Sequence, residues 1–278
     1  MTSIAHIINP FKADNREKHP LVYQSMLSAQ KMATDSVDVQ LYGTVFQEDS
    51  ECMPEGFNGT TNLKRSILDV RPFSVQKKLP LIYDILDKAY EETTADYLVY
   101  TNMDIILMPQ FYLVVDAYIR EGHDSIIINR RDVVATENNT LNTLPKIWSA
   151  IGDPSAGYDC FVFKRSQYPS YVTDKCCIGV SAVDMGIATN LMAFAENFLF
   201  LTEEHITCHL GNDRAWMQEE FDDLTKHNYR EFSKVWTVLQ ERLSQQYDKD
   251  HPIMKRMYYI STEEFPNYII AQRKKDVL

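Results

Sequence analysis

The stretch ADYLVYTNMDIILMPQFY, residues 95–112, decides how the chain is read. Tyr97, Leu98, Val99 and Tyr100 form an apolar run of strand-favouring residues. The run stops at Thr101, Asn102, Met103 and Asp104, and apolar residues resume at once, with no glycine or proline to mark a turn. An acid at a strand end can hold a metal, or it can cap the next segment. The residues that the rest of the chain brings to that end decide between them.

Strand-like and helix-like stretches alternate on both sides of it. SIAHIINPF (3–11) reads as a short buried strand ending at Asn9-Pro10, and VDVQLYGTVF (37–46) alternates like a second strand. Between them, HPLVYQSMLSAQKMA (19–33) has helical spacing, with Val22, Met26, Ala29 and Met32 on one face. Residues 48–62 read as loop. LPLIYDILDKAYEE (79–92) predicts a helix striped by Leu81, Ile82, Ile85, Leu86 and Ala89. Beyond the opening stretch, QFYLVVDAYIREG reads as helix, DSIIINRR as strand, LNTLPKIWSA as a short helix and YDCFVFKR as strand. SAVDMGIATNLMAFAEN then reads as helix, and FLFLTEEHITCHLG returns to strand.

This alternation over roughly the first 210 residues predicts an α/β layered domain with a mostly parallel central sheet. From Asn212 onward the texture becomes charged and helical in period, with Trp236, Leu239 and Leu243 on an apolar stripe. The expected organisation is a domain over residues 1–214 and a helical extension over 215–278.

Composition narrows the classes of function. The 278 residues are 45% hydrophobic, enough for a large core, and carry a net charge of −11. That charge excludes a general nucleic-acid binder, which needs a concentrated basic face. The five cysteines, Cys52, Cys160, Cys176, Cys177 and Cys208, follow no disulfide or zinc spacing and read as reduced thiols of a cytoplasmic protein. MTSIAHIINPF lacks the layout of a signal peptide. MGIATNLMAFAENFLFL is interrupted by Asn190, Glu196 and Asn197 and is too short to span a membrane. Attachment at the inner face of the membrane stays compatible with these features.

The order of motifs resembles a GT-A-fold glycosyltransferase of the family-2 kind. YLVYTNMDI looks like that family's strand ending in D-x-D, with Asn102 in the first acid's place and Asp104 in the second's. AGYDCFVFKRSQYP resembles its acceptor-side strand and glycine-containing loop. VDMGIATNL resembles its E-D-x-x-x-x-x-x-L helix, with Asp184 and Leu191 matching and Val183 standing where Glu is common. HITCHLG supplies the late histidine, best matched by His209. The resemblance covers about residues 4–212.

It implies transfer of a sugar from a nucleotide-diphosphate donor to a hydroxyl acceptor, which a glycan or a lipid-linked molecule could supply. A divalent cation, Mn2+ or Mg2+, would offset the charge developing on the diphosphate, held by Asp104 and His209. Asn102 brings no charge and would contact the ribose or a metal-bound water. Asp184 would be the general base, although an acid before an apolar helical run also serves as a cap.

Asn9 would border the base, with Phe11 beside it read as core packing. Lys78 and Arg214 would contact the diphosphate, or be ordinary surface cations. Tyr158, Asp159 and Arg130 are acceptor-side candidates, since rings stack on sugars and carboxylates bind hydroxyls. His205 lies four residues before His209. On a helix the two could share a face, but Ile206, Thr207 and Cys208 favour a strand, where His205, Thr207 and His209 would share one. Two other functions compete. A sugar-phosphate nucleotidyltransferase would carry a glycine-rich loop after the first strand, and INPFKADNREKHP has no glycine. An inactive GT-A-like binding or scaffold protein would explain Asn102 and Val183.

Overall fold

The structure, a computed structural model, describes residues 1–12, 19–133, 140–210 and 218–276. Arg214 lies outside them. The chain divides into two compact units: Met1–Leu63, Ile85–Pro169 and Ala195–Asn212 form the first, and Lys64–Asp84, Ser170–Phe194 and Asp213–Leu278 the second. The C-terminal helices thus share their unit with two segments drawn from earlier in the chain.

The first unit is built on a nine-stranded sheet: β1 (Thr2–Ile8), β2 (Val37–Gly43), β3 (Asn58–Gly59), β4 (Tyr97–Thr101), β5 (Ile105–Leu107), β6 (Ser125–Val133), β7 (Asp153–Lys164), β8 (Phe198–Leu201) and β9 (Thr207–Leu210). The order is β3-β2-β1-β4-β7-β6-β9-β5, with β8 also paired to β6. β7 runs antiparallel to both β4 and β6, and β5 antiparallel to β9, while the other five pairings are parallel. The mostly parallel α/β sheet expected from the sequence is present.

Burial follows strand chemistry. β4 and β5 are almost continuously buried, as apolar strands covered on both faces are. β2 alternates, with Val37, Val39 and Leu41 inside and Asp38 and Gln40 exposed. Helix α1 (His19–Ala33) buries Leu21, Val22, Ser25, Met26, Ala29 and Ala33. Met32, expected on that face, is 53% exposed, because the i, i+4 step from Ala29 reaches Ala33 instead. Helix α2 (Ile82–Glu92) starts three residues later than predicted, yet the whole stripe from Leu81 to Ala89 is buried. Helices α3 (Phe111–Arg120) and α4 (Leu144–Ser149) complete this unit's helices. Trp148 Nε1 ties α4 to the Leu107 carbonyl at 2.9 Å.

FLFLTEEHITCHLG forms two strands, not one. β8 pairs with Ser125–Ile128 of β6, and after residues 202–206 β9 pairs with Arg131–Val133 of the same strand. The interruption lets β9 take β5 on its other edge.

The second unit holds α5 (Val183–Phe194), α6 (Asp222–Gln246), α7 (Pro252–Ile260) and α8 (Phe265–Asp276). Trp236, Leu239 and Leu243 lie on the buried side of α6, as the stripe predicted. Among the described residues no helix is long and apolar enough to cross a membrane.

One buried acid of this unit has a thermodynamic consequence. Asp174 is 8% exposed; its Oδ1 accepts the Cys176 N–H at 2.8 Å, and its Oδ2 has no partner. Burial pushes its pKa from 3.8 up to about 6. The folded state therefore holds a proton that the unfolded chain releases at lower pH. The stability this confers is complete below pH 3.8 and is lost as pH rises through about 6. At neutral pH the buried charge costs about 3 kcal/mol relative to the neutral acid. Asp174→Asn keeps the acceptor for Cys176 and removes the charge, at a cost of about 1 kcal/mol for an unpaired amide N–H. Urea titrations should find the variant more stable than wild type by about 2 kcal/mol at pH 8, with the advantage gone by pH 4.

Candidate active site

The interruption after β4 is a tight turn that needs no glycine. The Asn102 carbonyl accepts the Ile105 N–H at 3.3 Å, and Met103 is tucked in at 8% exposure. The chain re-enters the sheet as β5, where Ile105 pairs with His209 of β9. The turn sits on a rigid base. His6 of β1 is wholly buried between Tyr112 Oη, at 2.7 Å, and Thr101 Oγ1, at 2.9 Å. Burial lowers its pKa to about 3, so it stays a neutral strut beneath the end of β4.

Strand register brings the acid and the late histidine together. His209 Nε2 is 3.1 Å from Asp104 Oδ2, and the Leu210 N–H donates to the Asp104 carbonyl at 3.1 Å. The Asp104 side chain is 44% exposed, but its Oδ1 is closed from solvent and has no hydrogen-bond partner. Burial alone would lower the His209 pKa; the hydrogen bond and charge of Asp104 outweigh it and raise the pKa above the ordinary value. Burial likewise opposes the Asp104 charge, yet the His209 hydrogen bond and the charges of His209 and Arg130 hold that carboxyl below the usual carboxylate range.

The other ring nitrogen of His209 meets a residue the sequence reading missed: Nδ1 is 2.9 Å from Asp132 Oδ1. The signal was strand length. Carried two residues past Arg130, the β6 alternation places Asp132 on the same face as Arg130.

A second chain of contacts runs beside the first. Tyr100 Oη donates to Asn102 Oδ1 at 2.8 Å, and Asn102 Nδ2 donates to Asp159 Oδ1. Arg130 Nη1 donates to Asp159 Oδ2, and Arg130 Nε donates to Ser155 Oγ at 3.0 Å. A Cβ added at Gly157 would lie 2.7 Å from Arg130 Cζ, so a side chain there would displace the guanidinium. Asn102, Asp159 and Arg130 are thus brought together, but Asp159 has both oxygens engaged and is 7% exposed.

Other expected residues are placed differently. Tyr158 is 6% exposed and meets Phe200 edge-on at 5.1 Å, so the ring is packed inside where a sugar would have to stack. His205 lies in the connection before β9 and does not share a strand face with His209; its Nε2 is 3.8 Å from Cys208 Sγ. Asn9, just past β1, donates to the Thr44 carbonyl at 2.7 Å, while its buried Oδ1 and the Thr44 hydroxyl have no partner. Phe11, expected in the core, is 40% exposed and edge-on to His19 at 5.0 Å. Lys78 is an exposed residue of the second unit, and Asp184 lies in the first turn of α5, in that same unit.

No family model and no curated protein matches the sequence. Among solved structures, the chain is similar to S. aureus TarS 1–349 in complex with UDP-GlcNAc, with 9% identity and a TM-score of 0.50 over 99% of this chain and 92% of that one. It is also similar to glucosyl-3-phosphoglycerate synthase from Mycobacterium tuberculosis in complex with Mn2+, UDP and glucosyl-3-phosphoglycerate. There the identity is 14% and the TM-score 0.47, over 86% of this chain and 80% of that one. At such identities the likeness concerns the fold alone. The chain has the GT-A-like fold that the order of its motifs implied.

Proposed function

We propose that the protein is a sugar-nucleotide-dependent glycosyltransferase, moving a sugar from a nucleoside-diphosphate donor to a hydroxyl acceptor. The observation that carries this reading is the Asp104–His209 contact at the end of β4, where ligands gather in open α/β sheets. The residues also fit a divalent cation. Asp104 offers a buried oxygen without a partner, and its other oxygen lies 3.1 Å from an imidazole nitrogen, a separation two donors of one small ion can adopt. Among the described residues no group of three His, Cys, Asp or Glu side chains could hold the ion, so phosphate oxygens and water would complete its shell. Mixed nitrogen and oxygen donors favour Mn2+ over Mg2+. When bound, the ion would offset charge on the departing diphosphate.

The chain's own residues would do the rest. Asn102, turned toward Tyr100 and Asp159, helps fix Arg130 near the cation. Asn9, with its unpartnered oxygen past β1, would accept a hydrogen bond from the nucleoside. Lys78 and Arg214 would contact the diphosphate. Asp184 would take the acceptor's proton, and the backbone two residues before it supports a functional role for that turn. Ala182 is held at φ 71°, a strained value for a residue with a Cβ, and such strain clusters at working sites. The acceptor would be a glycan or a lipid-linked molecule, met in the cytoplasm or at the inner face of the membrane.

Thermal denaturation with a panel of nucleoside diphosphates and sugar nucleotides, each with and without Mn2+, tests the reading. A ligand at 100 times its Kd stabilises the fold by about 2.7 kcal/mol, a shift of several degrees. At least one nucleotide should raise the melting temperature, and more so with Mn2+. A flat response to every nucleotide would leave the scaffold reading standing.

A further inference from the structure

We infer that Asp132 is a positioning residue for the proposed cation site: it accepts the Nδ1–H of His209 and so turns the bare Nε2 toward Asp104. The inference rests on the glycosyltransferase reading only for the ion; the contact itself is a property of the fold. Parallel pairing of β6 with β9 sets Asp132 opposite His209, and antiparallel pairing of β9 with β5 sets Ile105, the neighbour of Asp104, opposite the same histidine. One imidazole therefore spans two carboxylates, at 2.9 Å to Asp132 and 3.1 Å to Asp104.

A neutral imidazole can donate to one of these carboxylates and not both. Arg130 breaks the symmetry. Its Nε lies 3.5 Å from Asp132 Oδ1, an ion pair that occupies the same oxygen the histidine meets. Asp104 has no Lys or Arg ion pair among those found in the described residues and keeps an unpartnered oxygen. The ion belongs on the Asp104 side and the proton on the Asp132 side. Asp159 and Ser155 hold Arg130 by shorter contacts than it makes with Asp132, which leaves Asp132 available to the histidine.

The backbone of Asp132 is itself fixed. Arg131 donates to the carbonyls of Ile151 and Gly152, and Gly152, at φ +65°, lies so close that a Cβ there would be 2.8 Å from the Asp132 carbonyl oxygen. Carboxylates that orient metal-binding histidines typically contribute 10–100-fold to affinity.

The test uses the full-length protein and Mn2+ binding in the presence of UDP, read from the EPR signal of free Mn2+. Asp132→Ala should weaken binding by ~10–100-fold. Asp132→Asn keeps an oxygen that can accept Nδ1–H and should bind within a few-fold of wild type. Asp132→Ala should add little to His209→Ala, because it acts through that ring. An undiminished affinity in Asp132→Ala, or an equal loss in the His209→Ala background, overturns the positioning role. In the protein without metal, the ring 15N signals of His209 should move in Asp132→Ala. Signals that stay put overturn the contact, whether or not Mn2+ binds. Wild-type protein that binds no Mn2+ with UDP present overturns the ion reading and this role with it, even where the ring signals do move.

Discussion

Asp104→Ala should lower sugar-nucleotide turnover by ~1,000-fold or more, since the proposed ion would supply several kcal/mol of charge stabilisation. The fold should survive the change. The side chain is 44% exposed and hydrogen-bonded to His209, so the stability lost is about 1 kcal/mol or less. The backbone contact that anchors the turn, from the Leu210 N–H to the Asp104 carbonyl, does not involve the side chain. Activity assays across Mn2+ concentrations separate two origins of the loss. If Asp104 holds the ion, high Mn2+ should recover part of the rate in Asp104→Asn and little in Asp104→Ala. Turnover near wild type in the alanine variant, with intact Mn2+ dependence, would move the ion elsewhere. Arg130, with Lys78 and Arg214, would then be left to oppose the diphosphate's charge.

The partnership of Asp104 and His209 was legible through the resemblance, which paired a strand-end acid with a late histidine, and local pattern fitted it. An acid closed a continuous apolar strand, and a histidine sat in a β-prone run. What lay between was not legible. Asp132 follows two arginines, where the hydrophobic run of β6 has already ended, so only the period-2 spacing marks it. Tyr158 and Asp159 read alike as acceptor-side residues, yet Tyr158 packs on Phe200 while Asp159 meets Asn102 and Arg130. Composition does not say which of two neighbours faces a site. The break between β8 and β9 was hidden because residues 202–206 carry no glycine or proline. The grouping of Lys64–Asp84 and Ser170–Phe194 with the C-terminal helices depends on contacts more than 50 residues apart, such as Cys177 N–H to Asn228 Oδ1 at 3.0 Å, which local periodicity does not encode.

Asp184→Asn separates chemistry from capping at the residue where both apply. Asp184 lies in the first turn of α5, where a carboxylate meets the positive end of the helix dipole. Asparagine keeps the side chain's size and its value at a helix start, so the melting temperature should hardly move. It cannot take up a proton. If Asp184 receives the acceptor hydroxyl's proton, turnover should fall by ~100-fold or more, with nucleotide binding unchanged. If Asp184 only supports the helix, turnover should stay near normal in Asp184→Asn, and Asp184→Ala should lose about 1 kcal/mol of stability. Near-normal turnover in the asparagine variant would send the proton elsewhere. Asp159 would be tested next, but it starts at a disadvantage. A base must present a lone pair to the hydroxyl, and Asp159 is buried at 7% exposure with its oxygens held by Asn102 and Arg130. Releasing either would leave a buried amide or guanidinium group without its partner, at a cost of about 1–3 kcal/mol.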